Sequence, residues 1–243
     1  MVHVLRPVPV EQLKLLVFDL DGTLIDSAQD LCNSVNATLS RFGREQLPDA
    51  LVSSYIGDGA AMLMRRALFG ADAAVADEDL LARAYEYFLG YYREHKLDFT
   101  YAYEGVLEAL AALKTLHETP AGFGPARAMA VLTNKPVRAA REICEALHLA
   151  PYFLRIYGGN SFPVKKPDPL GLRTLMGEAG APPEQTVMIG DSQVDVLTSR
   201  NAGAWSIGCT FGLAPDTLED TQPDILVDSP RDWTAALGAA WIA

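Results

Sequence analysis

The chain is poor in cysteine: Cys32, Cys144 and Cys209 are three in 243 residues, with no two close together. That scatter gives neither a disulfide framework nor a zinc pattern. None of the three stands at the spacing to a following arginine that a cysteine-nucleophile loop requires. Each reads as a small buried apolar side chain. Histidine is as sparse, and His3, His95, His117 and His148 fall in no metal-ligand spacing. No apolar run approaches the length of a membrane span. The opening residues, MVHVLRPVPV, lack the apolar stretch of a signal peptide. These absences point to a reduced, cytoplasmic protein, in which the sequon Asn36-Ala37-Thr38 is coincidental. Positive charge is also short, with 20 Lys and Arg against 31 Asp and Glu and a net charge of -11. Such a surface repels nucleic acid and anionic membranes, so neither is expected as a partner. An anionic ligand has to be drawn in by a local positive site.

About half of the residues are apolar (49%) and about a fifth charged (21%), the balance of a globular chain with a substantial core. There is no internal repeat and no low-complexity stretch. Short apolar strands are predicted over Leu15 to Leu20, Ala128 to Thr133, Leu154 to Gly158, Thr186 to Gly190, Ala204 to Cys209 and Asp224 to Val227. Helical spacing separates most of them, over Val106 to Leu116, Val137 to Leu147, Pro169 to Glu178 and Val194 to Asn201. Alternating strands and helices predict an α/β, doubly wound, Rossmann-like parallel sheet. Near-continuous apolar strands agree with burial on both faces. From about Leu31 to Lys96 the pattern is helical throughout, including Leu51 to Ile56, Ala60 to Phe69 and Leu80 to Tyr92. This predicts a helical cap at 28–99 inserted into a core made of 1–27 and 100–243, with joints near Ser27 and near Phe99 to Tyr103. Thr119 to Pro125, TPAGFGP, reads as a loop.

The most informative segment is Val17 to Ser27, VFDLDGTLIDS. A buried strand delivers two carboxylates, Asp19 and Asp21, which are costly unless something positive stands between them. A hard divalent cation with oxygen ligands suits them, Mg2+ foremost. One acid is then free to act as a nucleophile on a phosphoryl group. Asp-Gly after an apolar run is also a hairpin signal, but Leu31, Val35 and Leu39 recur at helical spacing, so strand, acidic turn and helix is the better reading. In an open α/β sheet, ligands bind beyond the carboxyl ends of the strands. There stand Asp19 and Asp21, then Thr133-Asn134-Lys135, then Lys165-Lys166-Pro167, then Gly190-Asp191-Ser192 with Asp195. Each has a plainer reading: Thr133 as a helix cap, the lysines as a solvated pair, Gly190 to Ser192 as a turn with a cap. Four together, in this order at one sheet edge, form a set suited to a phosphate and a metal. The glycine pairs Gly57/Gly59 and Gly122/Gly124 lack the strand-then-helix setting of a dinucleotide loop.

These residues resemble the haloacid dehalogenase superfamily of phosphohydrolases over nearly the whole chain. The matching motifs are DLDGT at Asp19 to Thr23, Thr133 with Asn134, Lys166 in KKPDP, and GDSQVD at Gly190 to Asp195. Within the superfamily the chain looks most like the phosphoglycolate phosphatases, through Gly57-Asp58-Gly59-Ala60 and Arg66-Ala67-Leu68 in the cap. The resemblance implies a Mg2+-dependent phosphomonoester hydrolase acting on a small phosphorylated metabolite, 2-phosphoglycolate foremost, as a monomer or homodimer. It implies Asp19 as nucleophile and Asp21 as the acid and base. Thr133, Asn134 and Lys166 would hold the phosphoryl oxygens. Mg2+ would sit on the Asp19 and Asp191 carboxylates and the Asp21 backbone carbonyl, with Asp195 orienting its water or Lys166. Gly57, Arg65, Arg66 and Lys96 are the cap residues placed to select the substrate. The alternatives are a phosphosugar mutase of the β-phosphoglucomutase kind, a phosphatase of other small metabolites, a carbon–halogen hydrolase and a non-catalytic phosphate-binding protein. Asp21 argues against the carbon–halogen hydrolase. The presence of both acids argues against the binding protein.

Overall fold

The computed structural model describes residues 1–70, 77–115 and 127–238. The loop read at 119–125, with Gly122 and Gly124, lies outside the described residues, as do Leu116 and His117. Among the described residues the strands are β1 (Val2–Val4), β2 (Leu15–Phe18), β3 (Ile25–Asp26), β4 (Tyr101–Ala102), β5 (Ala128–Leu132), β6 (Arg155–Tyr157), β7 (Thr186–Gly190), β8 (Trp205–Cys209) and β9 (Ile225–Val227). The helices are α1 (Ala28–Arg41), α2 (Asp49–Ser53), α3 (Ala60–Phe69), α4 (Glu78–His95), α5 (Val106–Thr115), α6 (Val137–Ala146), α7 (Leu170–Ala179), α8 (Gln193–Ala202), α9 (Thr217–Asp220) and α10 (Asp232–Ala236). No helix among the described residues is long and apolar enough to cross a membrane.

Seven strands form one sheet in the order β1-β9-β8-β7-β2-β5-β6. Every pairing in it is parallel except β1 with β9. The fold is therefore α/β, with a mostly parallel sheet covered on both faces. The period of two along a strand explains both covers. Leu16 and Phe18 face one side with Val131 and Ile189, against Leu110 of α5, Ile143 of α6 and Trp233 of α10. Leu15 and Val17 face the other with Ala130 and Met188, against Leu172 and Leu175 of α7. Because both faces are dry, the strands carry hardly a polar residue until they end.

Helices α1 to α4 carry a separate apolar core. Leu31, Val35 and Leu39 form the α1 stripe at four-residue spacing and meet Val52, Leu63, Met64, Phe88 and Tyr92. Two features escape the sequence pattern. Strand β1 is three residues long, and only its antiparallel seat beside β9 makes it a strand. The joint to the helical insertion is a two-stranded ribbon, β3 with β4, each strand only two residues long. The chain after Asp21 does turn tightly, with the Gly22 N–H donating to the Ile25 carbonyl at 2.9 Å. It then pairs with β4 instead of folding back on β2.

Asp30, buried in α1, ties this joint together. Its carboxylate accepts from the Phe99 N–H at 3.0 Å, the Thr100 N–H at 2.8 Å and the Thr100 hydroxyl at 2.7 Å. Hydrogen bonds to a buried charge are the strong ones, and orphaned donors add a desolvation cost. Asp30→Ala is expected to lower stability by about 2–4 kcal/mol, read as a shift of the denaturant midpoint. An unchanged midpoint would mean that solvent replaces the carboxylate.

Candidate active site

The register of the central strands builds the site. Phe18 lies level with Val131 of β5 and Ile189 of β7. The residues that follow β2, β5 and β7 therefore leave the sheet at one edge. Asp19 is held there by its N–H on the Ile189 carbonyl at 2.8 Å, and Thr133 by its N–H on the Tyr157 carbonyl at 3.0 Å.

Lys166 stands at the centre. Its buried ammonium lies 2.9 Å from Asp19 Oδ1 and 2.6 Å from Asp195 Oδ1. Asp19 Oδ1 is held by that ion pair and makes no other hydrogen bond. Asp195 is fully engaged: its other oxygen accepts from the Ser192 hydroxyl at 2.8 Å and, in the capping box that starts α8, from the Ser192 N–H at 3.3 Å. Asp191 accepts from the N–H groups of Leu213 at 2.7 Å and Ala214 at 3.1 Å. Two glycines make room for this packing. A Cβ on Gly22, whose φ is 80°, would stand 2.0 Å from Asp191 Oδ2, and one on Gly190 would stand 2.1 Å from the Asp195 carboxyl carbon.

The plain readings of these motifs separate here. Thr133 does not cap α6, because Val137 N–H takes Asn160 Oδ1 at 2.9 Å; the Thr133 hydroxyl accepts from the Lys135 N–H at 3.2 Å. The two lysines divide, Lys166 going inward and the exposed Lys165 reaching the Asp58 carbonyl of the insertion. The Asn134 side-chain amide donates to the Gly57 carbonyl at 3.0 Å and the Lys166 carbonyl at 3.1 Å, so it ties the insertion to the core. The cap arginines are spoken for. Arg65 pairs with Glu78 and Arg66 with Asp58, each at 2.6 Å, and neither lines the cavity over Asp19. Lys96 turns to Glu142 of α6 at 2.9 Å.

Lys135 was passed over in the sequence, where its neighbours Thr133 and Asn134 carry the motif. It is buried, its ammonium 2.7 Å from Asp21 Oδ1 and 4.9 Å from the centre of the Tyr92 ring. A lysine three residues beyond the end of the buried strand β5 is the available signal. Asp21 also accepts from the Ser27 hydroxyl. Asp19, Asp21, Thr133, Asn134, Lys135 and Asp191 line one cavity of about 40 Å3. Its roof is apolar, from Leu31, Ile56, Leu63 and Phe88.

Electrostatics show what the cluster lacks. Burial pushes Asp191 up to about 8, with the Asp195 and Asp19 charges adding to it. Burial pushes Asp19 up to about 7 against the pull of Lys166. Burial alone would lower Lys166 and Lys135, but the facing carboxylates outweigh it and hold both well above the usual lysine value. Four carboxylates, Asp19, Asp21, Asp191 and Asp195, face the two ammonium groups of Lys135 and Lys166. The excess is two negative charges, the amount that one divalent cation neutralises. Ligand oxygens of Asp19, Asp191 and Asp195 lie within 4.8 Å of one another. An all-oxygen set of buried carboxylates fits a hard cation.

A buried acid beside a lysine, at the carboxyl edge of a parallel sheet and under a helical insertion, defines a capped α/β enzyme centre. A family model for haloacid dehalogenase-like hydrolases matches residues 16–209, and the chain belongs to that family. It is 38% identical over 224 residues to the phosphoglycolate phosphatase of Neisseria meningitidis serogroup A, covering 90% of this chain and 92% of that one. It is 36% identical over 222 residues to that of Vibrio parahaemolyticus, covering 90% and 93%. The crystal structure of a predicted phosphoglycolate phosphatase from Haemophilus somnus 129pt superposes with a TM-score of 0.83 at 33% identity, over 93% of this chain and 98% of that one.

The raised carboxylates set a sign for stability. The folded metal-free chain holds these protons more tightly than the unfolded chain, where a carboxylate titrates near 3.8. Stability therefore falls as pH rises from about 4 through about 8. A cation that takes the place of the protons should reverse the loss. The rise in Tm on adding Mg2+ to the EDTA-treated protein is expected to be larger at pH 8 than at pH 5, measured by scanning calorimetry. An equal rise at both would disconnect the cation from these acids.

Proposed function

We propose that this phosphoric monoester hydrolase acts on 2-phosphoglycolate, releasing glycolate and phosphate through an aspartyl-phosphate on Asp19. The observation that carries the reading is Asp19 itself: buried, held by Lys166 at 2.9 Å, and lining a roofed cavity. The full-length similarity to phosphoglycolate phosphatases supports the substrate.

In the first step the Asp19 carboxylate attacks phosphorus. The phosphorus–ester oxygen bond breaks, its electron pair goes to the leaving oxygen, and Asp21 supplies the proton. In the second step Asp21 takes a proton from water as that water attacks the aspartyl-phosphate. The Asp19–phosphorus bond breaks, and Asp19 and phosphate are released. Lys166 keeps the nucleophile and the phosphoryl oxygens together against their repulsion. The Thr133 hydroxyl and the backbone at Asn134 stand at the adjoining strand end to bind the same oxygens. Asp19 and Asp191 with the Asp21 backbone carbonyl would hold Mg2+, and Asp195 keeps Lys166 in place. When bound, the cation neutralises the approach of an anionic nucleophile to an anionic phosphate. The apolar roof excludes bulk water, which strengthens each of these interactions.

Phosphate release from a panel of phosphomonoesters, with Mg2+ and with EDTA, tests the reading. Metal-dependent turnover favouring 2-phosphoglycolate over hexose phosphates and nucleoside monophosphates is expected. Conversion of glucose 1-phosphate to glucose 6-phosphate without release would move the protein to the mutases. Asp19→Asn is expected to abolish turnover with the thermal transition retained; near-normal rates would sink the aspartyl-phosphate.

A further inference from the structure

The proposed substrate carries a second anionic group, and none of the cap cations expected to meet it reaches the cavity. Arg65 and Arg66 are each held by an acid at 2.6 Å, and Lys96 by Glu142. The insertion instead presents apolar side chains, with one exception. Tyr92 of α4 lines the cavity and is 3% exposed; its hydroxyl makes no well-aligned hydrogen bond, and the one polar group drawn to it is the Lys135 ammonium. A buried hydroxyl without a partner costs free energy unless a ligand supplies one. Burial pushes that hydroxyl up to about 12, so it stays a neutral donor at physiological pH.

Lys135 stands beside it. Its ammonium lines the same cavity, spends one contact on Asp21 Oδ1 at 2.7 Å and lies 4.9 Å from the Tyr92 ring centre. An ammonium has three donors, and the Asp21 contact uses one. Lys166 is engaged by Asp19 and Asp195 and is committed to the phosphoryl end. The ten-residue helix α3 opens on the same space: Gly59 and Ala60 line it, and the helix start has no side-chain cap. Its first amides and the positive end of its dipole therefore add to the field there. A lysine, a tyrosine hydroxyl and a helix start converge opposite Asp19, beneath a roof that offers a neutral substrate tail only apolar contact.

We propose that Lys135 and the Tyr92 hydroxyl form the receptor for the carboxylate of the substrate, and so select phosphomonoesters that carry a second anion close to the phosphate. The proposal rests on the reading of this site as a phosphomonoester hydrolase centre acting on 2-phosphoglycolate. It assigns the selection to one core residue and one cap residue that meet only when the insertion lies over the core. The arginines that the sequence suggested have no part in it.

The test compares two substrates of equal length, 2-phosphoglycolate and 2-hydroxyethyl phosphate, which replaces the carboxylate with a neutral alcohol. Both are assayed on the full chain with Mg2+, as wild type, Tyr92→Phe and Lys135→Met. Tyr92→Phe removes one oxygen and leaves the packing, so it keeps the test sound if Lys135→Met, which strips Asp21 of its partner, fails to fold. The expected result is a preference of the wild type for the carboxylate substrate that falls roughly ten- to a hundredfold in Tyr92→Phe, the size of one charge-assisted hydrogen bond. The loss should appear chiefly in KM for 2-phosphoglycolate, with 2-hydroxyethyl phosphate little changed. Equal losses on both substrates in Tyr92→Phe, or a preference that survives there, would overturn the receptor and leave the hydrolase reading standing. A wild type that turns over both esters alike would overturn the phosphoglycolate reading and the receptor with it.

Discussion

The ammonium of Lys166, set between Asp19 and Asp195, is the contact on which the site depends. Removing a charge from water costs several kcal/mol unless partners restore what hydration gave. Here the carboxylates do that for the lysine, and the lysine does it for them. The arrangement needs a parallel sheet whose strands end level, so that groups from β2, β7 and the loop after β6 reach one point. It needs glycine at positions 22 and 190, where any side chain would occupy the space of Asp191 or Asp195. It also needs the helix start at Ser192, since the capping box fixes the Asp195 oxygen that Lys166 does not use. With all four carboxylates ionised the balance is still negative by two charges, a donor set that suits a cation beside an anion.

The helical insertion is fastened to the core by two kinds of contact. At the joint, Asp30 collects buried hydrogen bonds from the Phe99 and Thr100 backbone, strong and local. Over the pocket, the polar contacts are single, among them Asn134 to the Gly57 carbonyl, Lys165 to the Asp58 carbonyl and Lys96 to Glu142, beside the Lys135–Tyr92 contact and the packing of Ala139 on the insertion. Partly exposed pairs of this kind each contribute little. Opening the pocket would break the second kind and leave the first. That is the division a hinge requires if substrate is to enter and water is then to be shut out.

Much of this was legible in the sequence. The strands of the parallel sheet could be placed because they are dry on both faces, and the insertion because Leu31, Val35 and Leu39 repeat at four. The strand ends read at Leu20 and Thr133 lie one or two residues past β2 and β5, because the Asp19 and Thr133 N–H groups still bond the neighbouring strands while the chain turns into the site. Strands β1, β3 and β4 were invisible: two or three residues show no period, and only the partner strand defines them. Asp19, Asp191 and Lys166 stood out because charges after buried strands demand an explanation. Arg65 and Arg66 stand out by charge, and Arg66 also by the Arg66-Ala67-Leu68 stretch, neither of which reveals that Glu78 and Asp58 already hold them. Lys135 was hidden by the reverse effect, because its partner Asp21 lies more than a hundred residues away along the chain.

Structural and chemical readings of these motifs are not rivals. Ser192 and Asp195 form an ordinary helix cap, and that cap holds the carboxylate that steadies Lys166. Ser27 precedes α1 but does not cap it; Asp26 receives the Ala28 N–H at 3.0 Å, and the freed Ser27 hydroxyl goes to Asp21. In one place the cap is part of the site, and in the other the site has taken the capping residue. What separates the cases is burial. A turn or cap at the surface is satisfied by water, and its side chain carries no further consequence. The same residue at the end of a dry strand must find every partner inside the protein, and a group so bound keeps its position within the small tolerance that phosphoryl transfer needs.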